Sequence, residues 1–274
     1  MPELPEVETI VRELRPRVVG HSLHEITLSH DDVLRGVTRR RLLRGLEGAA
    51  VRGLGRRAKH AVFDLGDRRL VVQPGMTGSL VVHERPLTPD ESRYAVLSAR
   101  LDDGHRLVYR DVRRLGTLLL LDQRGWQAYD RSIGPEPLDP AFTAERLGEI
   151  LGRSRQAVKK VLMDQRRLAG IGNIYANEAL FAAGIDPSKA ARRLTSDEHR
   201  RLHQELQRIL RAAIDSNGTT VRDYRTGTGQ PGNFQLALLV YEREGEPCVR
   251  CGTRLAGTHA IDGRITVFCH RCQS

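Results

Sequence analysis

The stretch Met1-Pro2-Glu3-Leu4-Pro5-Glu6-Val7-Glu8-Thr9-Ile10 decides how the rest of the chain is read. Removal of Met1 would leave the secondary amine of Pro2 as the terminus, with a carboxylate directly behind it. An α-amine has a reference pKa of about 7.7 to 8.0, so part of it is neutral near pH 7. A neutral amine can attack an electrophilic sugar or carbonyl carbon to give a Schiff base, and Glu3 can move protons beside it. The plainer reading is that Pro2 and Pro5 only pre-set the entry to a helix, since proline is tolerated in a first turn.

Working outward, Val7, Ile10, Val11, Leu14 and Val18 recur at helical spacing while Glu8, Arg12, Glu13, Arg15 and Arg17 take the other faces. This predicts a helix from Glu6 to about Val18, closed by Gly20. Residues 22–122 predict strands at 22–28, 60–65, 69–73, 79–83, 94–101, 106–109 and 117–121, hence a sandwich or flattened barrel. Between the first two strands lies a basic run with Arg35, Arg39, Arg40, Arg41, Arg44, Arg52, Arg56 and Arg57, read mainly as a solvated face. Lys59 differs, because it stands where a loop runs into a strand and can aim an amine into a cleft. Two loops carry apolar tips, Met76 in Gly75-Met76-Thr77-Gly78 and Leu115 behind Arg113 and Arg114. Such residues are usually buried plugs, but in a basic protein they can wedge between bases.

Pro135, Pro137 and Pro140 mark a linker over 132–140, beyond which helices are expected at 143–152, 154–164, 173–183 and 195–216. Thr195 and Glu198 form the capping-box pair of the last one. Gly170-Ile171-Gly172-Asn173 is a glycine-rich turn opening a helix, suited to a phosphate or simply to a tight connection. Residues 218–235 form a glycine-rich loop. All four cysteines fall in Cys248-x-x-Cys251 and Cys269-x-x-Cys272, with 17 residues between the pairs, the spacing of a closed four-cysteine zinc site on a β-hairpin. Two disulfides are the alternative, disfavoured in a reducing compartment.

Charge points to a partner. Lys and Arg number 44 against 34 Asp and Glu, a net charge of +10, which suggests a polyanionic partner, the plainer reading being a generic basic cytoplasmic protein. No apolar run approaches a membrane span and the start lacks a signal-peptide pattern, so a cytoplasmic protein with no membrane association is expected.

Taken together, these motifs resemble the formamidopyrimidine-DNA glycosylase family, bacterial enzymes that excise oxidised purines. The resemblance spans the chain, through Met1-Pro2-Glu3-Leu4-Pro5-Glu6-Val7-Glu8-Thr9, Arg57-Ala58-Lys59, Gly75-Met76-Thr77-Gly78-Ser79-Leu80, Gly134-Pro135-Glu136-Pro137-Leu138, Gly172-Asn173-Ile174-Tyr175-Ala176, Gly184-Ile185-Asp186-Pro187 and Gly245-Glu246-Pro247-Cys248. It implies an α+β fold with three parts. Residues 1–131 form a catalytic domain of an amino-terminal helix and a β-sandwich. Residues 132–235 form a helical DNA-binding domain with a helix-two-turns-helix motif, its 218–235 loop covering an extruded base, and residues 236–274 form the zinc finger.

The resemblance also implies a bifunctional base-excision glycosylase and abasic-site lyase acting as a monomer on damaged double-stranded DNA, with one structural Zn2+ on Cys248, Cys251, Cys269 and Cys272. Pro2 would be the nucleophile, Glu3 its proton partner, Lys59 the residue of β-elimination and Arg264 that of δ-elimination. Met76, Arg113 and Leu115 would enter the duplex, and Tyr94, Arg155, Lys159 and Asn173 would contact DNA. The chain departs from the family pattern at Leu115, usually Phe, at Val112, usually Pro, at Tyr94, where a His is common, and at Asn233, usually Tyr. Two rivals stay open: an endonuclease VIII-like enzyme for oxidised pyrimidines, and a non-catalytic DNA-binding zinc protein.

Overall fold

The computed structural model describes residues 1–220 and 224–274. Within these the chain divides into two compact units, residues 1–131 with 214–235, and residues 132–213 with 236–274.

In the first unit, α1 (Leu4–Val18) begins two residues earlier than its apolar stripe suggests, because Pro5 fits a first turn and the Glu3 N–H donates to Glu6 Oε2 at 2.8 Å. Val7, Ile10, Val11, Leu14 and Val18 are fully buried. Each removes enough apolar surface from water to contribute about 1.5–3 kcal/mol, as an upper bound. The Val19 N–H closes the helix on the Arg15 carbonyl.

The strands are β1 (Leu23–Leu28), β2 (Gly53–Arg57), β3 (His60–Asp64), β4 (Arg68–Gln73), β5 (Gly78–His83), β6 (Ala95–Leu101), β7 (Arg106–Asp111) and β8 (Thr117–Asp122). They form two four-stranded antiparallel sheets, ordered β1-β6-β7-β5 and β2-β3-β4-β8. Phe63, Leu70, Leu97, Leu107 and Leu118 from the two sheets join the α1 stripe in one core, which makes the unit the expected sandwich.

Four short elements exceed the sequence reading. Strand β2 is Gly-Leu-Gly-Arg-Arg, with too little β-branched character to announce itself. Part of the basic run is a helix, α2 (Arg39–Leu46), which buries Leu42 and Leu46 and is capped by Thr38 accepting from the Arg41 N–H. A single turn, α3 (Pro89–Arg93), carries a Thr88–Glu91 capping box, and α4 (Gln123–Arg131) follows β8 with no buried residue of its own.

The second unit holds α5 (Ala144–Gly152), α6 (Val158–Met163), α7 (Asn173–Ala183) and most of α8 (Ser196–Asp215). Helix α7 is buried on nearly every face, as its low charge requires. After a 3-10 turn at Phe234–Ala237, the chain ends in a hairpin of β9 (Ala256–Thr258) and β10 (Thr266–Phe268). Phe181, Val240, Leu255 and Val267 pack with Cys248 and Cys269 in a small separate core. Glu178 reaches this segment from α7, accepting from the N–H groups of Leu239, Val240 and Tyr241 at 2.8–2.9 Å. Among the described residues no helix is long and apolar enough to cross a membrane.

Candidate functional site

In the first unit the amino end of α1 is enclosed. Pro2 is buried, and Glu3 is only 3% exposed. Burial lowers the amine of Met1 below its ordinary value. Glu3 and Glu6 pull it back up, while the charges of Lys59 and Arg113 push it further down. The sequence-predicted Pro2, Glu3, Lys59 and Arg113 thus share one electrostatic neighbourhood with the chain terminus. Low dielectric and the adjacent cations favour a neutral amine at this end of the chain, and the two carboxylates oppose them.

Lys59, itself buried, occupies the turn between β2 and β3 beside Ala58, whose φ is +53°. Glu6 fastens the same end to the 214–235 segment. Its Oε1 accepts from the Thr219 N–H at 2.8 Å and its carbonyl from the Tyr224 hydroxyl at 3.1 Å. Val221, Arg222 and Asp223, part of the loop expected to cover an extruded base, lie outside the described residues.

The two apolar tips are exposed, Met76 at 45% and Leu115 at 55%. A buried side chain that sequence reasoning did not select, Asp111, joins their loops. Its carboxylate accepts from Thr77 Oγ1 at 2.6 Å, the Gly116 N–H at 2.8 Å and the Tyr109 hydroxyl at 3.0 Å. Thr77 Oγ1 in turn accepts from the Arg113 N–H at 3.0 Å. The loops approach so closely that a Cβ on Gly75 would lie 2.5 Å from the Gly116 nitrogen, and one on Gly116 only 1.9 Å from the Tyr109 oxygen. Met76, Arg113 and Leu115 are therefore displayed from a braced platform. The guanidinium groups of Arg93 and Arg110 lie 5.3 and 5.9 Å from the Tyr94 ring.

In the second unit the predicted residues converge on the β10 hairpin. Lys159 is fully buried. Its Nζ donates to Thr266 Oγ1 at 2.7 Å and lies 3.5 Å from Asp262. Asn173, the first residue of α7, donates to the Ile265 carbonyl at 3.0 Å. Asp262 accepts from the Arg264 N–H at 3.1 Å. The Arg264 side chain helps line a groove of about 340 Å³ with Lys160, Arg166, Arg167, Asp164 and Asp262. Arg155 stands exposed at the approach to α6. The turn before α7 is braced by Gln165, which accepts from the Gly170 N–H and donates to the Ile171 carbonyl, each at 2.8 Å.

The four cysteine sulfurs lie within 4.8 Å of one another, close enough to share one metal ion. The thiols influence one another's protons. Hydrogen bonds from Thr253 bring Cys251 down to about 6, whereas its bond with Cys251 sends Cys272 up to about 12. The Arg250 N–H donates to Cys248 Sγ at 3.4 Å, a contact suited to a thiolate ligand.

Residues 1–118 match the Formamidopyrimidine-DNA glycosylase N-terminal domain, and residues 133–225 the Formamidopyrimidine-DNA glycosylase H2TH domain. The chain belongs to the formamidopyrimidine-DNA glycosylase family. It is 42% identical to the formamidopyrimidine-DNA glycosylase of Thermomicrobium roseum, covering 100% of this chain and 99% of that one. It is 44% identical to that of Moorella thermoacetica over 93% of each. Among solved structures, a Lactococcus lactis FPG point mutant in complex with Fapy-dG containing DNA superposes with a TM-score of 0.90 at 33% identity over the full length of both chains. The MutM (FPG) protein of Thermus thermophilus gives 0.87 at 38% identity, covering 99% of this chain and 98% of that one.

Proposed function

We propose that Pro2, freed by removal of Met1, is the nucleophile with which this chain removes oxidised purines, 8-oxoguanine and formamidopyrimidines, from double-stranded DNA. As a member of its family the chain is a base-excision glycosylase with abasic-site lyase activity. The Pro2 nitrogen attacks the sugar carbon that bears the damaged base. The N-glycosidic bond breaks and the base leaves with a proton, while Glu3 protonates the ring oxygen as the sugar opens to the Schiff base. Lys59 then serves β-elimination, in which a proton leaves the sugar carbon next to the imine and the 3′ phosphate departs. Arg264 serves δ-elimination and grips the phosphate at the lesion. The observation that carries this reading is the burial of Pro2 and Glu3 at the amino end of α1, where Lys59 and Arg113 lie close enough to act on the charge of the Met1 amine.

Met76, Arg113 and Leu115 fill the space left by the extruded nucleotide, Tyr94 and Arg155 contact the DNA, and Asn173 holds its backbone. Lys159 serves the same contact through the hairpin that it holds. Cys248, Cys251, Cys269 and Cys272 offer four soft sulfur donors, which fit a structural Zn2+. That ion would supply no reactive chemistry, only the fold of the hairpin carrying Arg264. The basic chain acts as a monomer on DNA in the cytoplasm. The domain limits 1–131, 132–235 and 236–274 are part of the same proposal.

The test is borohydride trapping on a duplex with one 8-oxoguanine opposite cytosine, with a thymine-glycol duplex alongside, followed by mass mapping of the cross-link. A cross-link at Pro2 on the first duplex is expected. Trapping mainly on the second would move the substrate to oxidised pyrimidines, and none on either, with Met1 gone and binding intact, would leave a non-catalytic DNA-binding role.

A further inference from the structure

Lys59 sits in a two-residue turn whose other residue, Ala58, holds a left-handed φ of +53°. That conformation is unfavourable for a residue with a Cβ and persists only where neighbours fix it. The neighbours are visible on both sides. From α1, Glu8 Oε2 accepts from Arg56 Nε at 2.9 Å, and Arg56 Nη1 donates to the Ala58 carbonyl at 3.1 Å. From α4, Asp130 Oδ1 accepts from Arg57 Nε at 2.6 Å, and the Asp130 carbonyl accepts from Arg57 Nη2 at 3.3 Å.

A third tie runs through His60. Its Nδ1 is 3.1 Å from the Arg57 carbonyl, an acceptor only, so Nδ1 carries the proton. Nε2 is then the acceptor of a neutral ring, and Tyr129 donates to it at 3.1 Å. Burial lowers the His60 pKa and so keeps the ring neutral. Helix α4 falls between the two segments matched by the family, 1–118 and 133–225.

We propose that His60, Tyr129 and Asp130 are positioning residues for Lys59, by which α4 holds the β2–β3 turn so that the lysine stays aligned for elimination. This rests on the role proposed above for Lys59. The substitutions act on elimination more than on base release, because base release depends on the opposite anchor, the amino end of α1.

The experiment measures single-turnover base release and strand scission separately on an 8-oxoguanine duplex, for wild type, Lys59→Ala, Tyr129→Phe, Asp130→Asn, His60→Phe and His60→Asn. Tyr129→Phe keeps the ring and loses only the hydroxyl, so it remains informative if His60→Phe does not fold. Misplacing the turn is expected to slow scission about tenfold more than base release in Tyr129→Phe and His60→Phe. His60→Asn, whose amide can replace Nδ1–H at the Arg57 carbonyl, should recover most of the loss. Equal slowing of both steps in Tyr129→Phe, or a loss of thermal stability alone, would overturn the proposal. If Lys59→Ala leaves the ratio of the two rates unchanged, the role of Lys59 fails and the positioning claim with it. If Lys59→Ala changes the ratio and the α4 and His60 variants do not, only the positioning claim fails.

Discussion

The Tyr224 hydroxyl donates to the backbone carbonyl of Glu6 across 218 positions of sequence, at 3.1 Å. The same glutamate accepts from the N–H groups of Glu3 and Thr219, each at 2.8 Å. One residue thus gathers the first turn of α1 and a distant loop segment. Tyr224→Phe fills the same space and loses only the donor, so it should cost about 1 kcal/mol of stability. Glu6→Gln turns one acceptor of a backbone N–H into a donor and should cost about 1–3 kcal/mol. Thermal melts check both, and a variant as stable as the parent would show that the tie is dispensable.

Asp111 is the corresponding point for the two exposed tips. With three donors aimed at a buried carboxylate, Asp111→Asn leaves at least one of them facing an NH2 group, at a cost of about 1–3 kcal/mol. The tips should also lose their alignment. The expected result is a smaller ratio of affinities for lesion-bearing and undamaged duplex, measured by anisotropy titration. An unchanged ratio would mean that Met76 and Leu115 need no brace.

Metal removal should act on the hairpin first. Strands β9 and β10 have three residues each, too few to be stable alone. The expected metal content is one zinc per chain. Chelation, or Cys251→Ser, should abolish duplex binding and lower the melting temperature. Retained affinity after verified metal loss would show that the hairpin stands without it.

Acid should destabilise the protein through the buried His60 and the half-buried His83 and His199. Burial lowers the folded pKa of His60, His83 and His199 below 6.5. The unfolded chain therefore binds more protons as pH falls below 6.5, so the stability these neutral rings contribute is present above that pH and lost on acidification. A melting-temperature series from about pH 7.5 to about 5 should fall more steeply for the parent than for His60→Asn. Parallel curves would mean that His60 does not titrate in this range.

What was legible in the sequence followed from periodicity and spacing. The α1 stripe, the α7 and α8 helices, most strands of both sheets and the four-cysteine cluster all announce themselves within a short window. Strand β2 does not, because its glycines are held by pairing with β3 rather than by propensity. Helix α2 hides within a run of arginines whose main apolar anchors are Leu42 and Leu46, and α4 buries no residue, so it has no period to find. Asp111 and Glu178 were invisible for another reason. Each is one carboxylate among 34 acidic residues, and its meaning lies in donors brought to it by folding. Lys159 was singled out only through the family resemblance, and its engagement with Asp262 and Thr266 depends on a hairpin about 100 residues away.

The first unit is discontinuous: residues 214–235 complete what residues 1–131 begin. On a ribosome the amino end emerges first, but Thr219 and Tyr224 follow only after more than two hundred further residues have been made. At an elongation rate of about 5–20 residues per second, the turn bearing Pro2 and Glu3 waits on the order of ten seconds or longer for its last partners. The first turn of α1 is made more than two hundred residues before the segment that completes its unit.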